Sequence, residues 1–237
     1  MGSSFLDVLA FGAHPDDVEI GMGGTIAKLT AAGKRVGIYD LTDADLSSNG
    51  NVELRRKEAQ NAAEILGVSV RGSLGLPDRG LFLQPDYITK IVEIIRIYKP
   101  EIVFVPYHED RHPDHGNCAH LVEEAVFSAG VKKFTTAGCQ EPHRVKRVYF
   151  YMINGFHQPD FTVDISLFMD SKLSALRAYK SQFVKTNSSF ETPLVNGYIE
   201  NVEARERMFG QLVNVSYAEG FKTKVPLLLE QDLLGEI

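Results

Sequence analysis

The stretch Ala10-Phe-Gly-Ala-His14-Pro-Asp16-Asp17-Val-Glu19-Ile-Gly-Met-Gly-Gly24 decides how this chain reads. The apolar residues Phe5, Leu6, Val8 and Leu9 precede it, and a helical stretch from Thr25 to Ala32 follows. A strand that ends in a histidine and two adjacent aspartates, then turns at once into a glycine-rich helix start, puts unusual chemistry at a strand tip. One imidazole and two carboxylates are costly to hold partly buried unless something positive sits among them. A divalent metal is the simplest candidate.

Outward from that stretch, short apolar runs alternate with amphipathic helical ones. Strands are expected at Asp7–Phe11, Arg35–Leu41, Val68–Leu74 and Glu101–Pro106. Helices are expected at about Gly23–Ala32, Val52–Leu66 and Pro85–Tyr98, and from the charged loop Tyr107–Pro113 through about Ala129. Gly33 and Gly67 stand where glycine commonly closes a helix, and Pro100 ends the third one. The fourth strand is nearly all apolar, as a strand covered on both faces should be. Strands joined by helices at this spacing form βαβ units on a parallel sheet. The expected fold class is therefore α/β, a Rossmann-like doubly wound, mostly parallel sheet flanked by helices. In the order 3-2-1-4-5, strands 1 and 4 lie side by side where the winding reverses, and ligands collect at their carboxyl ends.

The second half is less regular. Arg144–Met152 and Phe161–Ile165 read as strands, and about Leu167–Phe183 and Asn201–Val213 as helices. The polar segment Thr186–Gly197 between those helices is expected to be a mobile loop near the site mouth. No repeat, low-complexity tract or linker interrupts the chain, so residues 1–237 are expected to form one domain.

Composition narrows the function classes. At 44% hydrophobic and 24% charged, the 237 residues are ordinary for a globular protein. A net charge of -6 without any basic run argues against nucleic-acid binding. Two cysteines without a C-x-x-C pattern suit a reduced protein better than a secreted one. No signal sequence is evident at the N-terminus, and no apolar run approaches the length of about 18 residues that a membrane span needs. The expectation is a soluble, cytoplasmic protein. An apolar C-terminus (Val225–Leu229, Leu233, Leu234) is compatible with a homo-oligomer and equally with an internal edge.

The loop after strand 4 reads Tyr107-His108-Glu109-Asp110-Arg111-His112-Pro113-Asp114-His115. Joined to the first loop at the expected switch point, it pools His14, Asp16, Asp17, His112, Asp114 and His115. Two imidazoles and a carboxylate with an open coordination position form a catalytic arrangement for Zn²⁺. The same donors suit Fe²⁺, so ligand type leaves the metal open. Helix capping can account for either loop alone. It does not account for His and Asp pairs at two adjacent strand ends. Cys118 is better read as a core thiol than as a fourth ligand, since a catalytic site keeps a position open. Which aspartate does what cannot be read from the spacing.

The two loops together resemble the paired signatures of the LmbE-like (PIG-L) N-acetylglucosaminyl deacetylases. Phe161-Thr-Val-Asp-Ile-Ser166, Lys172, Ala178, Tyr179, Ser181 and Gln182 resemble that family's later segment. The resemblance implies a metal-dependent N-deacetylase with His14, Asp17 and His115 as zinc ligands and Asp16 as general base. A carboxylate spent on a metal is a weak base, and its free neighbour can take a proton from the water. The resemblance also implies His112 as a second catalytic group, stabilising the oxyanion or protonating the leaving amine, with Asp114 as its orienting partner.

The loop Thr42-Asp-Ala-Asp-Leu-Ser-Ser-Asn-Gly50 departs from the family's more general form. It is similar to the loop of the bacillithiol-biosynthesis deacetylases, as are Leu76-Pro-Asp-Arg-Gly80 and Met152-Ile-Asn-Gly-Phe156. The implied substrate is N-acetylglucosaminyl malate, a small molecule. Thiol S-conjugates, chito-oligosaccharides or non-catalytic metal and sugar binding are the alternatives. Arg55 is a candidate for holding sugar hydroxyls or a carboxylate, and Arg111 for pairing with the malate. Ser48 and Asn49 are candidates for lining the pocket.

Overall fold

The computed structural model describes residues 5–187 and 189–228. Its core is β1 (Val8–Gly12), flanked by β2 (Val36–Thr42) and β4 (Ile102–Pro106), both parallel to it. With β3 (Val70–Leu76), β5 (Arg147–Tyr151), β6 (Phe161–Asp164) and β7 (Ala218–Lys222), the sheet runs β3-β2-β1-β4-β5-β7-β6. The first five strands follow the expected doubly wound order. β7 pairs antiparallel with both β5 and β6.

Alternation along β1 explains its central place. Val8 and Ala10 join the core on one face, and Leu9 and Phe11 join the core on the other. Side chains of a strand alternate between faces, so a strand apolar at every position must be covered on both. One face is covered by α3 (Pro85–Tyr98) and α4 (Pro113–Ala129). The other is covered by α1 (Asp17–Ala31), α2 (Val52–Ile65), α5 (Met169–Ala178) and α7 (Tyr198–Leu212). A short helix, α6 (Lys180–Phe183), follows α5. No described helix is long and apolar enough to cross a membrane. Cys118 is buried in the second core and Cys139 is exposed, and neither is in a disulfide.

Four expectations need correction. α1 begins six residues before the expected Gly23, at Asp17, and breaks at Met22 (φ -149°, ψ 23°). Its glycines admit neighbours rather than loosen the chain. A Cβ on Gly21 would lie 2.1 Å from the Tyr151 ring, and one on Gly24 would lie 2.7 Å from Ile165. The single helix expected over Leu167–Phe183 is two, parted at Tyr179 (φ -82°, ψ 61°). α7 starts at Tyr198 rather than Asn201. β7 was not expected at all, because Ala-Glu-Gly-Phe-Lys carries two charges and a glycine in five residues.

Buried charge explains both β7 and the break in α1. Broken helices leave backbone groups without partners. Here Glu219 of β7 accepts the N–H groups of Gly24 (2.9 Å) and Thr25 (2.6 Å), and Arg205 of α7 donates to the freed carbonyl of Ile20 (3.0 Å). Lys172 of α5 bridges Glu219 (2.6 Å) and Glu206 (2.7 Å), and Arg205 also pairs with Glu206. Of the apolar C-terminus, Val225, Leu227 and Leu228 are exposed. Leu229, Leu233 and Leu234 lie outside the described residues.

Candidate active site

β1 and β4 end side by side, and the turns that follow them face one cleft. After β1 the chain passes through His14 and Pro15, and Asp16 and Asp17 open α1. After β4, the 107–112 loop leads to His112, whose ring caps α4 by accepting the N–H of Asp114 (3.3 Å). Pro113 at the first helical position suits that start. Asp17 sits between the two loops, its carboxylate 3.4 Å from His14 Nδ1 and 3.2 Å from His115 Nε2. The rings of His14, His112 and His115 pack within 5.6 Å of one another, centroid to centroid.

The electrostatics call for a cation. Burial would lower the His14 pKa, but Asp17, Asp114 and Asp78 outweigh it and hold the ring well above its ordinary value. Burial opposes charge on His115 too, and Asp17 and Asp110 bring it up to about 9. Asp17, although desolvated, is held well below the carboxylate range by these two imidazoles. Two buried imidazoles whose neighbours favour their charged form mark a place for positive charge, and a divalent metal would supply it. His14, His112 and His115 bring donor atoms within 4.8 Å of one another, as do His14, Asp78 and Asp114, and Asp17 lies against His14 and His115; such donors fit a divalent ion.

Asp16 differs from its neighbour. It lies at φ 112°, a left-handed conformation costly for a residue with a Cβ, on the order of 1–3 kcal/mol. Its Oδ2 accepts from Arg55 (2.9 Å), while Oδ1 has no partner among the described residues. Desolvation raises its pKa to about 7, with Arg55 pulling against burial and Asp17 pushing with it. A carboxyl that titrates near neutrality beside a cleft suits proton transfer.

Two expected roles meet different geometry. Asp114 was expected to orient His112. Its carboxylate instead accepts from the Arg79 backbone (2.8 Å) and guanidinium (3.1 Å) and faces His14 Nε2 at 3.6 Å; only its backbone N–H reaches His112. The reason is local: at the start of α4, the His112 ring folds back onto the helix end, and the Asp114 side chain points toward the Leu76–Gly80 turn. Nδ1 accepts there, so the neutral His112 ring carries its proton on Nε2. Burial lowers the His112 pKa, and the charges of His14 and His115 lower it further.

Arg55 was expected to meet substrate. Although it lines the cleft, its guanidinium is turned inward: Nε and Nη2 donate to the Pro15 carbonyl (3.0 and 2.7 Å) and Nη2 to Asp16. The side chain is only 5% exposed.

The remaining candidates lie at the rim. Arg111 is exposed, lines the cleft and makes no salt bridge among the described residues. Ser48 also lines it. Asn49 does too, but its side chain exchanges two hydrogen bonds with the backbone of Phe190 (2.9 and 2.8 Å), tying the 186–197 segment to the wall. Thr192, Pro193 and Leu194 of that segment reach the mouth.

Sequence reasoning missed Asp110 and Asp78. Asp110 lies 2.9 Å from His115 Nδ1, close but off the angle of a hydrogen bond, and accepts from the His112 and Asn154 backbones. Asp78 lies 3.3 Å from His14 Nε2. Each puts a carboxylate behind a histidine of the site, the arrangement that fixes the ring of a metal ligand. Asp110 could have been found, since it lies five residues before His115. Asp78 sits in the Leu76–Gly80 turn after β3, whose likeness to the bacillithiol-biosynthesis deacetylases marked the turn but gave Asp78 no role. Glu19, in the first turn of α1, is fully buried and bound by Arg71 (3.0 Å) and the Tyr179 hydroxyl (2.8 Å).

The cleft thus lies at the switch point of a doubly wound α/β sheet, where β1 and β4 end side by side. The family model for GlcNAc-PI de-N-acetylase (PIG-L) matches residues 9–126. The diacetylchitobiose deacetylase of Thermococcus kodakarensis is 35% identical over 91% of this chain and 82% of its own length. A probable N-acetyl-alpha-D-glucosaminyl L-malate deacetylase 2 of Bacillus cereus is 31% identical over 74% and 83%. The crystal structure of a conserved protein of Thermus thermophilus superposes with a TM-score of 0.87 at 41% identity, covering 95% of this chain and 97% of that one. The chain belongs to the PIG-L deacetylase family and is a hydrolytic N-deacetylase.

Proposed function

We propose that this enzyme removes the acetyl group of an N-acetylglucosamine derivative, with Zn²⁺ held by His14, Asp17 and His115. The observation that carries the reading is the pairing of His14 Nδ1 and His115 Nε2 on Asp17, directly beside an Asp16 whose Oδ1 has no hydrogen-bond partner among the described residues. The metal would polarise the acetamide carbonyl and acidify the attacking water. Asp16 Oδ1 takes the proton from that water, and its near-neutral pKa suits passing it on to the departing amine. His112 Nε2–H donates to the oxyanion. Asp110 behind His115, and Asp78 with Asp114 behind His14, hold the imidazoles in place.

On the substrate's aglycone, two readings stand, each with its own support. Arg111, exposed at the rim and without a salt bridge among the described residues, favours an anionic group such as malate, and the Bacillus cereus relative carries malate in its name. The greater identity of the Thermococcus kodakarensis relative, and the larger share of this chain that it matches, favour a neutral chito-oligosaccharide. Acetate release from N-acetylglucosaminyl malate, N,N'-diacetylchitobiose and N-acetylglucosamine, measured side by side, separates them. Arg111→Ala should raise KM only for the anionic substrate. Asp16→Asn should retain metal and lose about 10²–10⁴-fold in kcat, the range for a general base; wild-type turnover would remove Asp16 from the mechanism. A reduced cytoplasmic setting agrees with the two unpaired cysteines.

A further inference from the structure

Asp16 cannot hold its own conformation. A residue with a Cβ at φ 112° relaxes unless its surroundings over-determine it. The restraint comes from another element. Arg55 lies in the first turn of α2 and reaches back across the cleft floor to the turn after β1. Its Nε and Nη2 converge on the Pro15 carbonyl, and Nη2 also takes Asp16 Oδ2. The peptide before the strained residue and one of that residue's carboxylate oxygens are thus gripped by one planar group.

The grip is itself fixed. The guanidinium carbon lies 5.7 Å from the centre of the Tyr179 ring. The Tyr179 hydroxyl donates to Glu19 (2.8 Å) and accepts from Arg71 (3.1 Å). Arg55 Nη1 also approaches Ser47 Oγ at 3.4 Å. Little of the side chain is left to bind a substrate.

We propose that Arg55 is a positioning residue that acts through Asp16: it locks the Pro15–Asp16 turn so that Oδ2 is occupied and Oδ1 faces the attacking water. The proposal rests on the reading of Asp16 as proton acceptor. A lysine would supply the charge but not the fork that holds two oxygens at fixed spacing. Misplacing a reacting group by about 1 Å can cost on the order of 10²-fold.

The test uses the zinc-loaded enzyme with whichever N-acetylglucosaminide releases acetate. Arg55→Lys and Arg55→Ala should each lower kcat by roughly 10–10²-fold with KM nearly constant, and bound zinc measured by elemental analysis should stay at the wild-type stoichiometry. Added guanidinium salt should restore part of the Arg55→Ala loss. Placed in the Asp16→Asn background, Arg55→Ala should cost nothing further, because the partner through which it acts is gone. A raised KM with normal kcat would make Arg55 a substrate ligand and overturn the proposal. Full activity of Arg55→Lys would overturn it by showing that charge alone suffices. Loss of zinc, or the same fold-loss in the Asp16→Asn background, would place its action elsewhere. If Asp16→Asn alone keeps turnover, the base assignment fails as well. If Asp16→Asn is inactive while the Arg55 variants are normal, only the present proposal fails.

Discussion

At its first turn α1 meets His14, Asp16, Asp17, Asp78, Asp114 and His115; at its break near Met22 it meets Lys172, Arg205, Glu206 and Glu219. Both groups are buried and ionisable, and they treat charge in opposite ways. At the break two cations face two anions, and the backbone groups freed by the kink take up hydrogen-bonding capacity that remains. Each of these four charged side chains is paired with an opposite charge. At the first turn, the carboxylates draw two imidazoles toward their charged form, and Asp16 Oδ1 has no partner among the described residues. A closed charge cluster is part of the fold, and an open one beside a cleft is set for chemistry.

Chelation should have the largest effect. Removing the divalent metal takes several kcal/mol from the transition state, roughly 10³-fold or more in acetate release. Adding the metal back should restore the rate. Activity that persists after exhaustive chelation, with no metal found by elemental analysis, would mean that the first-turn cluster is closed like the second.

The converse perturbation addresses the break. Lys172→Met leaves Glu219 buried without its cation, and breaking a buried pair costs about 3–5 kcal/mol. For a chain of this size, each kcal/mol moves the thermal midpoint by roughly 2–4 °C. The midpoint should fall accordingly, while kcat per folded molecule stays close to wild type well below it. A variant as stable as the parent would show that the cluster does not hold the kink.

Gly21→Ala probes the same kink by packing, with a smaller cost. The new Cβ would sit 2.1 Å from Cδ2 of Tyr151, a fully buried ring whose hydroxyl is tied to the Phe11 carbonyl at 2.7 Å. The ring has no free direction of retreat. Overpacking of this kind costs about 1–3 kcal/mol, against which alanine's better helix propensity returns under about 1 kcal/mol. Equal or higher stability in chemical denaturation would mean that Tyr151 moves more easily than its contacts suggest.

The same contrast explains what could be read from the sequence. Apart from Asp78, the first-turn cluster draws on two contiguous motifs, so its histidines and other aspartates announce themselves, and the strand order then brings the motifs together. The strands and helices around them follow from apolar periodicity, and α3 and α4 span the expected residues. The closed cluster draws Lys172 from α5, Arg205 and Glu206 from α7 and Glu219 from β7, with no sequence pattern that joins them. Without it, the break in α1 and the existence of β7 had no visible cause. Arg55 was noticed for its type and place, but its direction was not legible. A guanidinium on the first turn of α2 can face the cleft or the β1 turn, and only the strained Asp16 peptide decides.

The smallest effect expected concerns what presents Arg55. Asn51 caps α2 by accepting the Leu54 N–H at 2.8 Å, and its carbonyl accepts the Arg55 N–H at 2.9 Å. Asn51→Ala removes only the side-chain cap, at about 1 kcal/mol. If Arg55 is held mainly by its own bonds to Pro15 and Asp16 and by the Tyr179 ring, fraying of the cap should barely reach it. The thermal midpoint should then drop by a few degrees, roughly 2–4 °C, with kcat and KM both unchanged within error. A fall in kcat as large as that of Arg55→Ala would move control of the turn from the side chain to the helix. It would mean that the helix start, and not the guanidinium's contacts, keeps the Asp16 turn in its strained form.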